Sequence, residues 1–145
     1  MRERDQQRLI LGLYETALAP ERWDDYLGRV RRLTEAEMLV VFFQDNADDR
    51  RSSIGRSGIS DERIRLYQEH YGATSPFYLA SLRAGARELG RFMVSDEMVP
   101  REELVRTAYY NEYMCPAGWS YADGGVFFAE GSGRGFITTG RSERQ

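Results

Sequence analysis

The feature that most restricts the fold of this chain is the uninterrupted apolar run from Met38 to Phe43. Its β-branched and aromatic side chains, bounded by polar segments, are typical of a buried β-strand. The polar stretch from Asp45 to Asp49 predicts a hairpin loop. The poorly alternating residues 51–57 then predict an edge strand. The sheet is therefore expected to begin with an antiparallel pair.

A second pair of strands is predicted near the end of the chain. Residues 121–129 and 136–139 have strand character, and the glycine-rich segment Gly131 to Gly135 between them predicts a turn. Residues 91–94 add one short strand. Hairpins at both ends of this order favour an antiparallel sheet with helices covering at least one face, which is an α+β fold.

Helical patterns occupy the rest of the sequence. A first helix is indicated by apolar residues at helical spacing, namely Leu9, Ile10, Leu13, Tyr14, Ala17 and Leu18. Pro20 favours the start of a second helix, because its fixed φ suits a first helical position. Ser60 and the pair Ser75-Pro76 are start signals for two middle helices, which Gly72 and Gly85 are expected to end. Shorter helical segments are expected after Ser95 and Pro100, ending at Pro116 and Gly118.

The length of the chain sets the domain organisation. At 145 residues and 16.8 kDa, it is expected to form one domain with a core of its own. Within residues 1–145 we expect an N-terminal helical pair over 1–37 and a sheet with helices over 38–145.

The chemistry open to the chain is limited by three residue types. There is no Lys, so all 20 basic residues are Arg, and there is one His and one Cys. Schiff-base chemistry and a phosphate-binding P-loop lysine are excluded. An intramolecular disulfide and a Cys/His zinc site are excluded as well. We predict no metal, no cofactor and no catalytic residue, although carboxylate chemistry stays formally open.

Charge and hydropathy exclude further partners. The net charge is −3 and the arginines are interleaved with acids, unlike the basic stripe of a nucleic-acid binder. We therefore predict no direct DNA binding by these residues. No apolar run is long enough to span a bilayer, and the polar N-terminus does not fit a signal peptide. A cytoplasmic protein without membrane contact is expected.

Four local features invite a chemical interpretation, and each has a simpler one. His70 is a half-exposed helical residue or a polar contact at a pocket mouth. Cys115 is interpreted as a small buried hydrophobe rather than a reactive thiol. Neighbouring acids such as Asp24 and Asp25 diverge by about 100° on a helix, which favours a solvated face over a paired site. The GSGRG run from Gly131 is followed by a strand, so it is a turn and not a dinucleotide loop.

Aromatic residues in the middle of the chain are the most informative set. They fit a packed core, but so many tyrosines, each needing a hydroxyl partner when buried, also suit the wall of an apolar pocket with a few polar contacts. The candidate pocket residues are Tyr67, His70, Tyr71, Ser75, Phe77, Tyr78, Phe92, Tyr109, Tyr113 and Trp119.

Four stretches in the same order resemble the N-terminal sensor region of LuxR-type helix-turn-helix transcriptional regulators. They are LILGLYETALAPERWDDYLGRV, LYQEHYGATSPF, VSDEMVPREEL and RTAYYNEYMCPAGW, within residues 9–139. The resemblance implies a PAS- or GAF-like domain of about five strands that senses a ligand, dimerises and controls an attached DNA-binding domain. It also implies Tyr67, Tyr71 and Ser75-Pro76 as pocket positions.

The chain departs from that pattern in two ways. Its relatives usually continue into a helix-turn-helix, whereas this sequence ends at Gln145. Ser75 stands where they usually have Asp, so the resemblance does not carry acyl-homoserine-lactone binding over to this chain.

Three functions follow from these observations. The first, which motif order favours, is a non-enzymatic sensor that acts as a homodimer and binds an unidentified small hydrophobic or aromatic ligand. The second is a PAS-like interaction or dimerisation module with a filled core. The third is a small hydrolase that uses His70.

Overall fold

A five-stranded antiparallel sheet organises residues 2–143, which are the residues that the computed structural model describes. The strand order is β2-β1-β5-β4-β3. The strands are β1 (Met38–Asp45), β2 (Arg50–Ser57), β3 (Phe92–Met93), β4 (Tyr121–Glu130) and β5 (Gly133–Arg141). Helices pack on both faces of the sheet, which confirms the predicted α+β class.

Both predicted hairpins are present, and one is tighter than expected. β1 and β2 are joined by a short 3₁₀ turn, Asn46–Asp48, and β2 lies at the sheet edge as predicted. The turn between β4 and β5 consists of Gly131 and Ser132 alone, where a longer segment was predicted. Gly131 has φ 57°, a left-handed conformation that glycine adopts at little cost, so the chain reverses within two residues.

The helix starts predicted at Ser60, Ser75-Pro76, Ser95 and Pro100 are confirmed, whereas Pro20 begins a 3₁₀ turn, Pro20–Arg22, that leads into the second helix at Trp23. The α-helices are α1 (Glu3–Leu18), α2 (Trp23–Thr34), α3 (Asp61–Leu66), α4 (Pro76–Ala84), α5 (Ser95–Met98) and α6 (Arg101–Leu104). The Ser60 hydroxyl caps α3 by accepting the N–H of Arg63 at 3.2 Å. The Ser75 hydroxyl caps α4 by accepting the N–H of Tyr78 at 3.4 Å. These caps satisfy backbone donors that a helix leaves open at its first turn.

Two helical segments are wider than the helices that the sequence predicted. The segments Tyr67–Tyr71 and Tyr109–Met114 are π-helical. Each ends in a bond between residues five apart, and in the first the N–H of Gly72 bonds to the carbonyl of Tyr67. A Cβ on Gly72 would lie 2.6 Å from that carbonyl oxygen, so the position requires glycine. Single π-turns inside helices are frequent at functional sites.

The sheet separates two apolar clusters because side chains alternate along β1. Leu39 and Val41 pack with Leu27 of α2 on one face. Val40 and Phe42 point to the other face. There they meet α3, α4 and the π-helical segment Tyr109–Met114.

Helix α1 packs on α2 and leaves much of its apolar surface exposed. Gly12 is buried, and a Cβ there would lie 3.0 Å from the Tyr26 ring, so the glycine permits close approach of the two helices. The large exposed apolar residues of α1 are Ile10, Leu11, Leu13, Tyr14 and Leu18. The predicted helix is confirmed, but its apolar residues do not pack on the sheet.

Candidate functional site

A cavity of about 180 Å³ lies between the sheet and the helices on the Val40 face. Val40 and Phe42 of β1 and Phe136 of β5 form its floor. Residues of α4 and of the π-helical segment Tyr109–Met114 form its roof. Most of the wall is apolar, with a small number of polar groups, which is the usual character of a small-molecule site.

Three tyrosines and Ser75 form the helical end of the cavity. The ring centroids of Tyr109 and Tyr113 are 5.2 Å apart, and those of Tyr67 and Tyr109 are 6.3 Å apart. Tyr67 donates its hydroxyl hydrogen to Oε1 of Gln44, and Tyr113 donates to the carbonyl of Arg63 at 2.9 Å. Two of the three hydroxyls are thereby directed to the protein.

The Tyr109 hydroxyl is in a different situation. Burial raises the pKa of the Tyr109 hydroxyl well above its ordinary value, and the nearby Ser75 hydroxyl lowers it. The two hydroxyls do not reach full hydrogen-bond geometry. Tyr109 is nevertheless half-buried rather than buried. Because it lines the cavity, we attribute its remaining exposed surface to the cavity.

Burial dominates the electrostatics of this end. It raises the pKa of Tyr67 far above its ordinary value, against the lowering effect of the Ser75 hydroxyl. It raises the pKa of Tyr113 as well, against the opposite effect of the Arg63 guanidinium. All three phenols are consequently neutral at physiological pH and can donate a hydrogen bond.

A buried layer behind the cavity fixes the position of Tyr67. Gln44 is fully buried, accepts from Tyr67 and donates through Nε2 to the carbonyl of Gly72 at 2.8 Å. The same amide donates to Oδ1 of Asn46 at 3.0 Å. The Gln44 side chain therefore ties the end of β1 to the first π-helical segment.

The opposite end of the cavity reaches the surface beside three charged residues. Arg91 bonds to Glu88 at 3.3 Å and to Glu97 at 3.1 Å, and all three line the cavity. The ion pairs are partly or largely exposed to solvent, so they contribute little to stability. Their position defines the mouth of the cavity.

Seven of the ten candidate pocket residues line this cavity. They are Tyr67, Ser75, Phe77, Tyr78, Tyr109, Tyr113 and Trp119. The Tyr78 hydroxyl donates to the carbonyl of Ser132 at 2.5 Å, so its polar end is occupied by the β4–β5 turn.

The other three candidates lie outside the cavity wall, and the reasons are geometric. Phe92 is 58% exposed because neighbouring side chains of a strand point to opposite faces, and Met93 takes the cavity side. Tyr71 stacks on Tyr113 from outside, with ring centroids 5.4 Å apart. His70 is exposed and packs edge to face on Tyr71, with the two ring centroids 4.7 Å apart.

Cys115 was expected to be buried, and that prediction is wrong: it is exposed. It follows Tyr113 and Met114, which take the buried side of the helical segment, and it begins a 3₁₀ turn that faces outward. Within residues 2–143, no three His, Cys, Asp or Glu side chains are grouped to hold a metal ion. No helix in the same range has the length and apolar character needed to cross a membrane.

Sequence reasoning missed several residues of the site. Four methionines line the cavity: Met38, Met93, Met98 and Met114. Flexible thioether side chains suit a wall that adapts to its contents, and their presence in predicted strands and helices was the available signal. Nothing in the sequence indicated Gln44 or the Arg91 mouth, because both depend on contacts between distant segments.

The five-stranded antiparallel sheet and its covering helices form a fold that is also found in a solved structure. A solved structure with this fold is the crystal structure of the ligand-binding domain of VqsR from Pseudomonas aeruginosa. The sequence identity is 18% and the TM-score is 0.73, over 97% of this chain and 81% of that chain. At this identity the likeness establishes the fold. No protein-family model matches the chain, and no curated protein matches it.

Proposed function

We propose that this chain is the sensing regulatory domain of a LuxR-family transcriptional regulator and that it binds a small hydrophobic or aromatic molecule in the cavity. The observation that carries the proposal is an apolar cavity of about 180 Å³ with the Tyr109 and Ser75 hydroxyls at its inner end. The fold shared with a ligand-binding domain supports it. The resemblance of four sequence stretches to LuxR-type sensor regions supports the family.

A binding role fits the site better than catalysis does. The groups around Ser75 are neutral phenols, and no carboxylate or imidazole lines the inner end of the cavity in the described chain. His70, the residue on which a hydrolase would depend, is exposed and contacts a tyrosine ring. A nucleophile needs a base within hydrogen-bond reach, which Ser75 lacks.

Native mass spectrometry of freshly purified protein, with a thermal-shift screen of small apolar and aromatic compounds, tests the sensor role. A ligand at ten times its Kd adds about 1.4 kcal/mol to the free energy of unfolding. For a domain of this size that corresponds to a rise in Tm of roughly 2–6 °C. If no compound is retained and none raises the Tm, the small-molecule role loses its basis.

The proposal includes a homodimer that uses the exposed apolar row of α1, defined by Leu11, Tyr14 and Leu18. These residues are spaced i, i+3 and i+7, so they lie along one side of the helix. A two-fold pair buries the same row from both copies, so a single apolar surface is sufficient. This row is also the observation that favours the alternative, an interaction module without a ligand. Concentration-dependent mass measured with and without ligand separates the two.

In this role the domain acts in the cytoplasm and leaves DNA contact to a separate DNA-binding segment. The net charge of −3 supports that division, since duplex DNA is bound chiefly through neutralised phosphates. An electrophoretic mobility assay with these 145 residues should give no complex at physiological salt. A submicromolar, salt-sensitive complex would contradict this part of the proposal.

A further inference from the structure

We propose that the cavity takes an uncharged single-ring aromatic compound with one oxygen acceptor, and that this oxygen lies between the hydroxyls of Tyr109 and Ser75. The inference rests on the proposed function of the cavity as a ligand site and names the class of ligand. Four features of the cavity carry it: its size, its hydroxyl donors, its uncharged inner wall and its aromatic side chains.

The size of the cavity limits the ligand to one ring. An engineered protein cavity of about 150 Å³ lined by apolar side chains is known to bind benzene. The present cavity, at about 180 Å³, is only slightly larger. A ring with a substituent of two or three non-hydrogen atoms fits this space. A compound with a long acyl chain does not fit without displacement of the wall.

Two hydroxyls at the inner end of the cavity are able to donate to a ligand. Ser75 is 2% exposed, its oxygen accepts the N–H of Tyr78, and its hydroxyl lies near those of Tyr67 and Tyr109. The Tyr109 hydroxyl makes no hydrogen bond of full geometry to the described residues, unlike those of Tyr67 and Tyr113. Two neighbouring donors in the cavity wall favour an acceptor oxygen on the ligand.

The distribution of charge disfavours an ionised ligand. Among the described residues that line the cavity, only Glu88, Arg91 and Glu97 are charged, and all three are at the mouth. Arg91 is already paired with both carboxylates. Behind the wall, Arg51 pairs with Asp49 at 2.7 Å. Among the described residues, no cation lines the inner end of the cavity, so a carboxylate there would be buried without a partner in the wall, which is costly.

The wall around the inner end is suited to an aromatic ring. Tyr109 meets Phe77 and Tyr67 edge to face, with centroid separations of 6.1 and 6.3 Å. Trp119 meets Tyr113 edge to face at 6.1 Å. These rings present both edges and faces to the cavity, and aromatic pairs gain energy from such arrangements beyond the burial of area.

The test uses the methyl groups of the wall methionines as reporters. Four of the five methionines line the cavity, so a spectrum of protein labelled with ¹³C at the methionine methyls reports on its contents. Acetophenone, which is uncharged and has one ketone oxygen, is the main probe. Isopropylbenzene has the same shape without the acceptor, and benzoate carries a charge. N-dodecanoyl homoserine lactone represents long-chain ligands.

We expect acetophenone to shift the resonances of Met38, Met93, Met98 and Met114 and to bind more tightly than isopropylbenzene or benzoate. Tyr109→Phe keeps the ring and removes the donor, so it should weaken acetophenone binding by about 3- to 10-fold, the effect of one neutral hydrogen bond. Binding of isopropylbenzene should not change. Ser75→Ala should act in the same direction. Tyr71→Phe, a matched change outside the cavity wall, should have no effect.

The outcomes separate this inference from the proposed function. If the lactone or benzoate shifts the four methyls and acetophenone does not, the ligand class is wrong while the cavity remains a ligand site. Equal affinity for acetophenone and isopropylbenzene also overturns the role of Tyr109 and Ser75. If none of the four compounds and none of the compounds in the thermal-shift screen binds, both proposals fail.

Discussion

The two faces of the sheet receive side chains from the same strand and use them differently. On the face covered by α2, Leu39 and Val41 pack with Leu27, and Leu27 is 1% exposed. On the other face, Val40 and Phe42 line the cavity. Adjacent residues of β1 thus pack in a filled core on one side of the sheet and border a cavity on the other.

The difference shows how one small domain has a closely packed face that stabilises it and a second face that contains a cavity. Close packing on the α2 face holds β1 and β2 in place. The cavity face forgoes part of its van der Waals contact, because atoms that border a cavity have no partner on one side. Gly72 and the buried Gln44 fix the position of Tyr67, which meets Phe42 of the floor edge to face with ring centroids 5.0 Å apart. Equivalent substitutions on the two faces are therefore expected to have unequal effects on stability.

The largest effect is expected for Leu27→Ala on the filled face. Removal of a fully buried leucine from a packed cluster should lower the free energy of unfolding by about 2–5 kcal/mol. Urea denaturation followed by circular dichroism measures the change. Leu33→Ala is the matched control on the same helix, since Leu33 is 45% exposed, and it should cost less than about 0.5 kcal/mol. Similar losses for both variants would show that α2 does not form a packed core with the sheet.

The two faces of the sheet are compared most directly by the substitutions Val41→Ala and Val40→Ala. The two residues are adjacent on β1 and are 6% and 7% exposed, but Val41 packs under α2 and Val40 borders the cavity. Val41→Ala should cost about 2 kcal/mol from transfer of the lost methyl groups and the new void, and Val40→Ala about 1 kcal/mol. Chemical denaturation of both variants under one set of conditions gives the difference. Equal losses would mean that both faces are packed alike.

Alkaline pH should act mainly through the cavity face. Burial raises the pKa of Tyr67, Tyr109 and Tyr113 there, whereas Tyr26 is the tyrosine with a raised pKa beside the filled face. Their unfolded pKa is about 10. Below pH 10 both states are protonated and stability is retained. Above it the unfolded state loses protons first, so stability falls by up to about 1.4 kcal/mol per pH unit for each tyrosine.

Tyr109→Phe tests this pH dependence directly. The slope of unfolding free energy against pH, measured between pH 9 and 11, should become shallower above pH 10 by the contribution of one tyrosine. Below pH 9 the slope should be unchanged. Tyr14→Phe, at an exposed position of α1, serves as the control and should leave the slope as it was. An unaltered slope in Tyr109→Phe would contradict the burial assigned to that phenol.

The smallest effect on folding is expected for the apolar row of α1, because its exposed residues pack in neither apolar cluster. Leu11→Ser should change the free energy of unfolding of the monomer by less than about 0.5 kcal/mol, because Leu11 is exposed. It should nevertheless weaken the proposed dimer, as measured by sedimentation velocity over a range of concentrations. Leu79→Ser, an exposed leucine of α4, is the control. If the two variants associate equally, the dimer does not use the α1 row.

The sequence predicted what depends on neighbouring residues. The apolar run at β1 and the serine caps of α3 and α4 were recognisable because alternation and capping are local. The tyrosines and Trp119 were named as pocket candidates from composition and from the family resemblance. Seven of the ten candidates line one cavity.

Features that depend on tertiary contacts could not be predicted in the same way. Either Phe92 or Met93 faces inward, depending on how the short strand β3 is oriented in the sheet. Two residues are too few for an alternating pattern to show which one it is. The π-helical segments place Tyr67 and Tyr109 over the cavity through hydrogen bonds between residues five apart, which no local sequence pattern indicated. Gln44 looks like a strand residue in sequence and becomes a buried support only because Gly72 approaches it.

The most direct test of the cavity as a ligand site is the ligand-induced rise in Tm of Ala80→Leu compared with the unchanged chain. Ala80 lines the cavity from α4, so a leucine side chain there occupies space that a ligand needs. Ala108→Leu adds the same group at an exposed position. The account predicts that compounds which stabilise the unchanged chain and Ala108→Leu by several degrees will fail to stabilise Ala80→Leu. An equal rise in all three proteins would place the ligand elsewhere and contradict the account.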